Sequence, residues 1–208
     1  MVNGVPGVFD AERLRRCIVP VQFYARPAEL VALNLLGKLL VKETPAGLCV
    51  GRIVETEAYL AFEDHACHAA RGKTPRNSVM WEAPATAYVY MSHGHWLLNA
   101  VTGAIGLPEA ALIRALEPML GIELMRSRRG RQRLEDLASG PGKLTQALGI
   151  DGSDNRTLLH DPPMYISRAM PGAVRPVTQT TRIGLGDNPS RHLPLRYYYS
   201  DSRCVSVR

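Results

Sequence analysis

The sequence predicts one α+β domain built on an antiparallel sheet. Three observations predict it: short runs of strand-like alternation recur along the chain, most are joined by brief glycine- or proline-containing turns, and the helical patterns are grouped between strands. At 208 residues, without a repeat or a low-complexity linker, the chain is sized for a single core.

Residues 1 to about 20 hold Gly4, Pro6, Gly7 and Pro20 with no clean period, which reads as a loose N-terminal arm ahead of a domain over residues 21–208. Pro27 followed by Glu29 predicts a helix start, because proline in the first turn lacks an N–H the helix does not use. Leu30, Val31, Leu33, Leu35 and Leu36 supply its apolar side. Lys38–Lys42 and Leu48–Tyr59 read as a hairpin closed by the turn Thr44-Pro-Ala-Gly47. Thr86–Met91, Trp96–Val101 and Ala110–Leu116 read as three more strands. Pro118 is expected to open a helix through Met125, running into the arginine-rich stretch 126–133. Ser139-Gly-Pro-Gly-Lys143 opens a second helix, and Met164–Arg168, Val177–Gly184 and Leu195–Ser200 are late strands.

Twenty-five Lys and Arg against 19 Asp and Glu give a formal charge of +6, which favours polyanionic partners. The four cysteines are scattered without framework or CxxC spacing, as in a reduced, cytosolic protein. No signal-peptide pattern opens the chain. The most apolar segment, Leu30 to Val41, is interrupted by Asn34 and Lys38 and is too short to span a bilayer, so no membrane partner is expected.

The chemistry concentrates in Arg52-Ile-Val-Glu-Thr-Glu-Ala-Tyr-Leu60. Period-two geometry puts Glu55, Glu57 and Tyr59 on one strand face and Val54, Thr56 and Ala58 on the other. A lone strand glutamate faces water or pairs with a neighbour such as Arg52. Two carboxylates on one face beside a ring also suit general-base work. Tyr88 and Tyr90 share a face and form an aromatic ledge, fit for core packing or for stacking a planar, cationic base. His65, Cys67, His68, His93 and His95 raise a metal-dependent nucleic-acid hydrolase as a rival. Their spacing is not a standard zinc pattern, and neither HExxH nor HxE…PCxxC occurs. No dinucleotide fingerprint or P-loop is present, so nucleotide-cofactor readings lack support. The arginine run reads as a solvated helix end or as phosphate contacts. Ser139-Gly-Pro-Gly-Lys143, a glycine loop entering a helix N-terminus, is the better anion site.

Taken together, Arg52–Leu60, His68, Thr74-Pro-Arg-Asn77, Tyr88-Val-Tyr90, Asn99, Ile113-Arg-Ala-Leu-Glu-Pro118, Ser139-Gly-Pro-Gly-Lys-Leu144 and Thr181-Arg-Ile-Gly-Leu-Gly186 resemble the alkyladenine (3-methyladenine) DNA glycosylase family, in order from about Phe23 to Val207. The resemblance implies a compact α+β domain with a curved, mainly antiparallel sheet flanked by helices. It implies a monofunctional enzyme of base excision repair, without metal or cofactor, that flips alkylated or deaminated purines out of double-stranded DNA. By resemblance, Glu57 is the general base that activates water, and Arg114 helps hold that water and carboxylate. Tyr59, His68 and Tyr90 sandwich the base, the backbone at His68 reads its six-position, and Asn99 collides with the guanine 2-amino group. Lys73, Arg76, Lys143 and Arg182 are expected to contact the DNA backbone.

One departure stands out. The family carries an aromatic wedge in a Tyr-Gly-Met-like turn, whereas Met91-Ser-His-Gly-His-Trp96 is one residue shorter and offers His93 there. The protein is expected to act as a monomer in the cytoplasm, with the nucleoid if bacterial, or in the nucleus if eukaryotic. A relative that binds lesion DNA without cutting remains the second rival.

Overall fold

Residues 10–168 and 174–207 are described by a computed structural model of the protein. Asp10 caps a first helix, α1 (Ala11–Arg16), by accepting from the Glu12 N–H. Leu14 of this helix is buried with Leu39, Val41, Val50 and Tyr165, and Ile18 bridges to Ser167. The arm expected to be loose over residues 1–20 is therefore packed from Asp10 onward. Gly4, Pro6 and Gly7 lie outside the described residues. Two helices follow, α2 (Val21–Tyr24) and α3 (Ala28–Leu35), with Pro27 at the α3 N-cap.

The remaining elements are β1 (Leu39–Thr44), β2 (Gly47–Tyr59), β3 (Ala87–Ser92), β4 (His95–Thr102), β5 (Glu109–Leu120), α4 (Ile122–Arg129), α5 (Leu134–Leu137), α6 (Pro141–Leu148), β6 (His160–Asp161), β7 (Met164–Ser167), β8 (Val177–Thr180) and β9 (Arg196–Tyr199). They make an α+β domain around one curled antiparallel sheet of order β3-β4-β5-β2-β1-β7-β6. The 13-residue β2 is its spine. One edge pairs with β5; the other pairs first with β1 and then, from Glu55 to Glu57, with β9, which carries β8.

The main core lies between the sheet and its helices, joining Val31 and Leu35 of α3 and Leu144 and Leu148 of α6 to Ile53, Ala58, Ile113 and Leu116. Thr56 ties this face to α3 by donating to the Ala32 carbonyl at 2.8 Å. A second apolar cluster (Cys67, Val79, Met80, Tyr88, Val101 and Ala110) forms beneath the segment joining β2 to β3.

Two expectations are corrected here. The helix assigned to Pro118 begins only at Ile122, because β5 runs through Pro118 to Leu120. Proline is tolerated in a strand beside a bulge or on an unpaired edge. Pro118 has both: the ladder skips Met119 between Gly51↔Pro118 and Val50↔Leu120, and β4 pairs with β5 only as far as Leu112. The arginine run is partly structural as well. Arg128 donates to the Ala147 carbonyl at 3.1 Å and Arg129 to that of Leu137 at 3.0 Å, tying the end of α4 to its helical neighbours.

Candidate active site

Besides the bulge at Met119, the β2–β5 ladder is irregular around Glu55. Ile53 faces Leu116 and Thr56 faces Ile113, but between them Glu55 stands opposite Ala115, so the register slips there and slips back beside Arg114. Such irregularities re-aim side chains. Here Arg114 is delivered between the two glutamates, its Nε 3.0 Å from Glu55 Oε1 and its Nη1 3.2 Å from Glu57 Oε2.

Both carboxylates are wholly buried, with no side-chain exposure. Glu55 also accepts from Arg196 Nε (2.8 Å), the Ser206 hydroxyl (2.8 Å) and the Ser206 N–H (2.6 Å). Glu57 accepts from the Ile183 N–H (2.8 Å) and the Tyr59 hydroxyl (2.9 Å). The face shared by Glu55, Glu57 and Tyr59 is thus kept, but the carboxylates do not simply oppose each other. Arg114 and Arg196 supply two positive charges to two negative ones. Burial alone works against the Arg114 charge, yet Glu57 and Glu55 together hold its pKa above the ordinary value. Removing either sign from such a group strands a buried charge.

Tyr59, whose hydroxyl bonds Glu57, lines a narrow pocket of about 240 Å³ counted out to its open mouth, together with His68, Met80, Tyr88, Tyr90, Asn99 and Ala110. His68, Tyr88 and Tyr90 form one aromatic group. Tyr88 and Tyr90 are stacked with centroids 5.0 Å apart, and His68 meets Tyr90 edge-on at 4.6 Å. Tyr59 stands outside that group; its hydroxyl is tied to Glu57 and Arg182 lies 4.7 Å over its ring. Burial first, then the Glu57 charge, pushes the Tyr59 phenol far above its ordinary pKa, and burial pushes Tyr90 up to about 12. Burial, with Arg76 nearby, lowers the His68 pKa. The pocket walls are therefore neutral rings at pH 7.

The wall is braced from behind. His68 Nδ1 is 3.0 Å from the Tyr88 hydroxyl, and the His68 carbonyl accepts from Asn77 Nδ2 at 2.8 Å. Asn77 also holds the Gly72 carbonyl and the Thr74 N–H, so Thr74-Pro-Arg-Asn77 is a clamp on the His68 loop. Asn99 sits opposite Tyr88 in the β3–β4 ladder and donates to the Tyr88 carbonyl at 3.1 Å, which fixes its amide in the pocket.

The residues expected on DNA divide into two groups. His93 is exposed at the tip of the two-residue turn between β3 and β4, where φ is +49° at His93 and +78° at Gly94, as a primed hairpin turn requires. Arg76 and Lys73 are exposed; Arg76 donates to the Met91 carbonyl at 2.7 Å and lies 5.3 Å over Tyr90, and Lys73 lies 5.6 Å over Trp81. Lys143 is exposed in the first turn of α6, lining a groove with His93 and His95. A Cβ on Gly142 would come within 2.7 Å of the His95 Cβ, so the hairpin and α6 approach this closely only over glycine.

Arg182 does not belong with them. Its side chain has no exposure, makes a two-pronged pair with Asp64 (both contacts 2.6 Å) and donates to the Ala58 carbonyl. This corrects the expected phosphate contact: Arg182 braces Tyr59 from behind and, through the next residue, Ile183, the loop that holds Glu57. The histidines do not gather either, and among the described residues no three His, Cys, Asp or Glu side chains are grouped to hold a metal ion.

Sequence reasoning missed Arg196, Ser206 and Asp64, whose partners lie 141, 151 and 118 residues away, so no local spacing announces them. It noticed Tyr88 as a ring but not as the partner of His68.

The arrangement defines a class: a single α+β domain whose sheet holds a buried, charge-compensated carboxylate, bonded through Tyr59 to a small pocket walled by neutral rings. The methylpurine-DNA glycosylase family model matches residues 22–203, and the chain belongs to that family. It is 48% identical over 193 residues to a protein of Carboxydothermus hydrogenoformans, covering 92% of this chain and all of the relative. It is 48% identical over 194 residues to one of Methanoculleus marisnigri (91% and 99%), and 47% over 186 residues to one of Prosthecochloris aestuarii (88% of each). Each of these relatives carries the name "Putative 3-methyladenine DNA glycosylase".

Proposed function

We propose that this protein is a monofunctional DNA glycosylase that takes an alkylated or deaminated purine nucleotide out of duplex DNA and hydrolyses its N-glycosidic bond. The observation that carries the reading is Glu57: a fully buried carboxylate, held by the Ile183 N–H, Tyr59 and Arg114, and bonded to a ring that lines the aromatic pocket.

In this reading Glu57 accepts a proton from a water molecule whose oxygen attacks C1′ of the flipped nucleotide. The C–N bond breaks, the base departs, and an abasic sugar bearing a C1′ hydroxyl remains. General-base assistance of this kind contributes about 10²- to 10⁴-fold. Arg114 keeps the carboxylate aimed and its charge compensated as the proton arrives. Tyr59 and the His68–Tyr90 wall sandwich the base, at roughly 1–3 kcal/mol for each stacked base, against the few kcal/mol that flipping costs. Neutral walls favour cationic bases such as 3-methyladenine and 7-methylguanine, which gain a cation–π term and are good leaving groups. Hypoxanthine and ethenoadenine use the same stack without that term. Asn99, fixed on the Tyr88 carbonyl, disfavours the 2-amino group and so rejects normal guanine. 7-Methylguanine, with the same group, is excised against that clash because its cationic base stacks well and leaves readily. His93 fills the gap left in the duplex, and Lys73, Arg76 and Lys143 meet phosphates.

The test is to incubate the protein, with and without exhaustive chelation, with duplexes carrying 7-methylguanine, hypoxanthine or ethenoadenine, and to look for strand breaks after hot alkali. Breaks at the lesion that survive chelation are expected. Binding without breaks identifies a non-catalytic relative, and breaks lost on chelation identify a metal-dependent hydrolase.

A further inference from the structure

A second cluster of charge lies on the other side of the sheet. Leu40, two residues beyond Lys38, and Ile166, two before Arg168, both belong to the core shared with α3, so alternation puts Lys38 and Arg168 on the α3 side. Thr56 faces the same way, bonded to Ala32 of α3, and Glu57 faces the opposite way. Together with Arg26, Lys38 and Arg168 line an open depression floored by Phe23 and Val19.

The three cations are crowded and uncompensated. Arg26 stacks 4.5 Å from the Phe23 ring centre, with its Nε donating to the Phe23 carbonyl at 2.8 Å. Lys38 Nζ stands 5.0 Å from the same centre. No carboxylate pairs with any of the three among the described residues, and one buried Arg26 nitrogen, Nη2, has no partner there. Residues 1–9 and 169–173, which flank the depression in sequence, contain no Asp or Glu. Elsewhere buried arginines of this molecule face carboxylates, as Arg182 faces Asp64 and Arg196 faces Glu55. Burial, then Arg26 and Arg168, lowers the Lys38 pKa, so these like charges act on one another. An arriving anion relieves that repulsion; an aromatic floor fixes the depth at which the cations meet it.

We infer that Arg26, Lys38 and Arg168 form an anion site for a phosphate group, separate from the base pocket. Two guanidinium forks and an ammonium suit the several oxygens of a phosphate better than a single carboxylate. The phosphate can be that of a small phosphorylated molecule or of a DNA backbone passing over the α3 side, and the two sources separate by experiment.

The experiment compares wild type with Lys38→Met/Arg168→Gln, with Arg168→Gln alone (an exposed side chain whose loss leaves packing intact), and with Lys143→Ala as a control on the opposite groove. Melting temperature is followed as pyrophosphate replaces chloride at constant ionic strength. A saturable rise in wild type and in Lys143→Ala, weakened in Arg168→Gln and abolished in the double variant, is expected. In parallel, affinity for lesion-free duplex is measured against salt, where each phosphate contact adds about 0.9 to the slope. A slope reduced by about one to two in the double variant identifies the DNA backbone as the source. An unchanged slope with a lost pyrophosphate response identifies a small ligand. If neither quantity differs between wild type and the double variant, or if Lys143→Ala alone abolishes the response, the site does not exist. Single-turnover excision at saturating protein, which does not depend on duplex affinity, is expected to be unaltered in the double variant, so failure here leaves the glycosylase reading untouched, and the reverse.

Discussion

The two halves of the pocket are built on opposite principles. Behind it, Glu55, Glu57, Arg114 and Arg196 are buried, locked on neighbouring strands and on the chain's last residues, and matched charge for charge. In front, His68 sits on a single 3₁₀ turn, Tyr90 is half-buried, and His93 rides a hairpin tip, all uncharged or exposed. Charges fixed in a low dielectric tolerate no displacement, because each one left unpaired is costly. Rings held by contact and by one hydrogen bond can adjust. Under the proposed function, bond cleavage falls to the rigid half and choice of base to the adjustable half, and substitutions on either side should separate along that line.

The largest effect is expected at the acid. Glu57→Gln keeps size and most hydrogen bonds but cannot take a proton, so single-turnover excision should fall by about 10²- to 10⁴-fold with lesion-duplex affinity preserved. Undiminished cleavage would falsify the base assignment. Next comes Arg182→Met. If Arg182 is the brace described above, stranding the Asp64 charge should lower unfolding stability by about 3–5 kcal/mol in a urea titration. A phosphate contact behaves otherwise: stability is kept, and the salt slope for DNA binding drops by about one.

That correction shows what the sequence could carry. Alternation located the β1–β2 hairpin, β3, β4 and the start of β5, and put Glu55, Glu57 and Tyr59 on one strand face, because those signals lie within a few neighbouring residues. Proline at position 118 was misread as a helix start because the bulge that accommodates it depends on β2, a partner some 67 residues earlier in the ladder Gly51↔Pro118. Arg182 was misread for the same reason, since its carboxylate is 118 residues away. The α1 helix, with Asp10 as its cap, was locally legible but was overshadowed by the glycines and prolines before it.

On the adjustable half the effects should be smaller and should fall on selectivity. Asn99→Gly removes the amide beside Tyr88 and opens room for a 2-amino group. Excision of guanine from mispairs should rise while hypoxanthine excision changes little. A proportional change in both would make Asn99 a structural residue rather than a gate. His93→Tyr enlarges the side chain at the hairpin tip and should raise excision of paired lesions a few-fold in single-turnover assays; lowered activity would mean the imidazole is matched to its shorter turn.

The smallest effect is a pH dependence. Burial and Arg76 depress the His68 pKa below its ordinary value of 6.5, so the folded protein favours the neutral ring. The sign follows: a depressed histidine is neutral in both states well above 6.5, and as pH falls through 6.5 the unfolded chain takes up a proton that the folded one resists. The stability gained from a neutral His68 is therefore full above about pH 6.5 and is lost below it. Because the ring is partly exposed, the loss should be modest. Melting temperatures of wild type and His68→Gln, compared from pH 8 to 5, should converge as pH falls. Curves that stay parallel would mean that His68 titrates freely, and that the front wall owes its neutrality to the tyrosines alone.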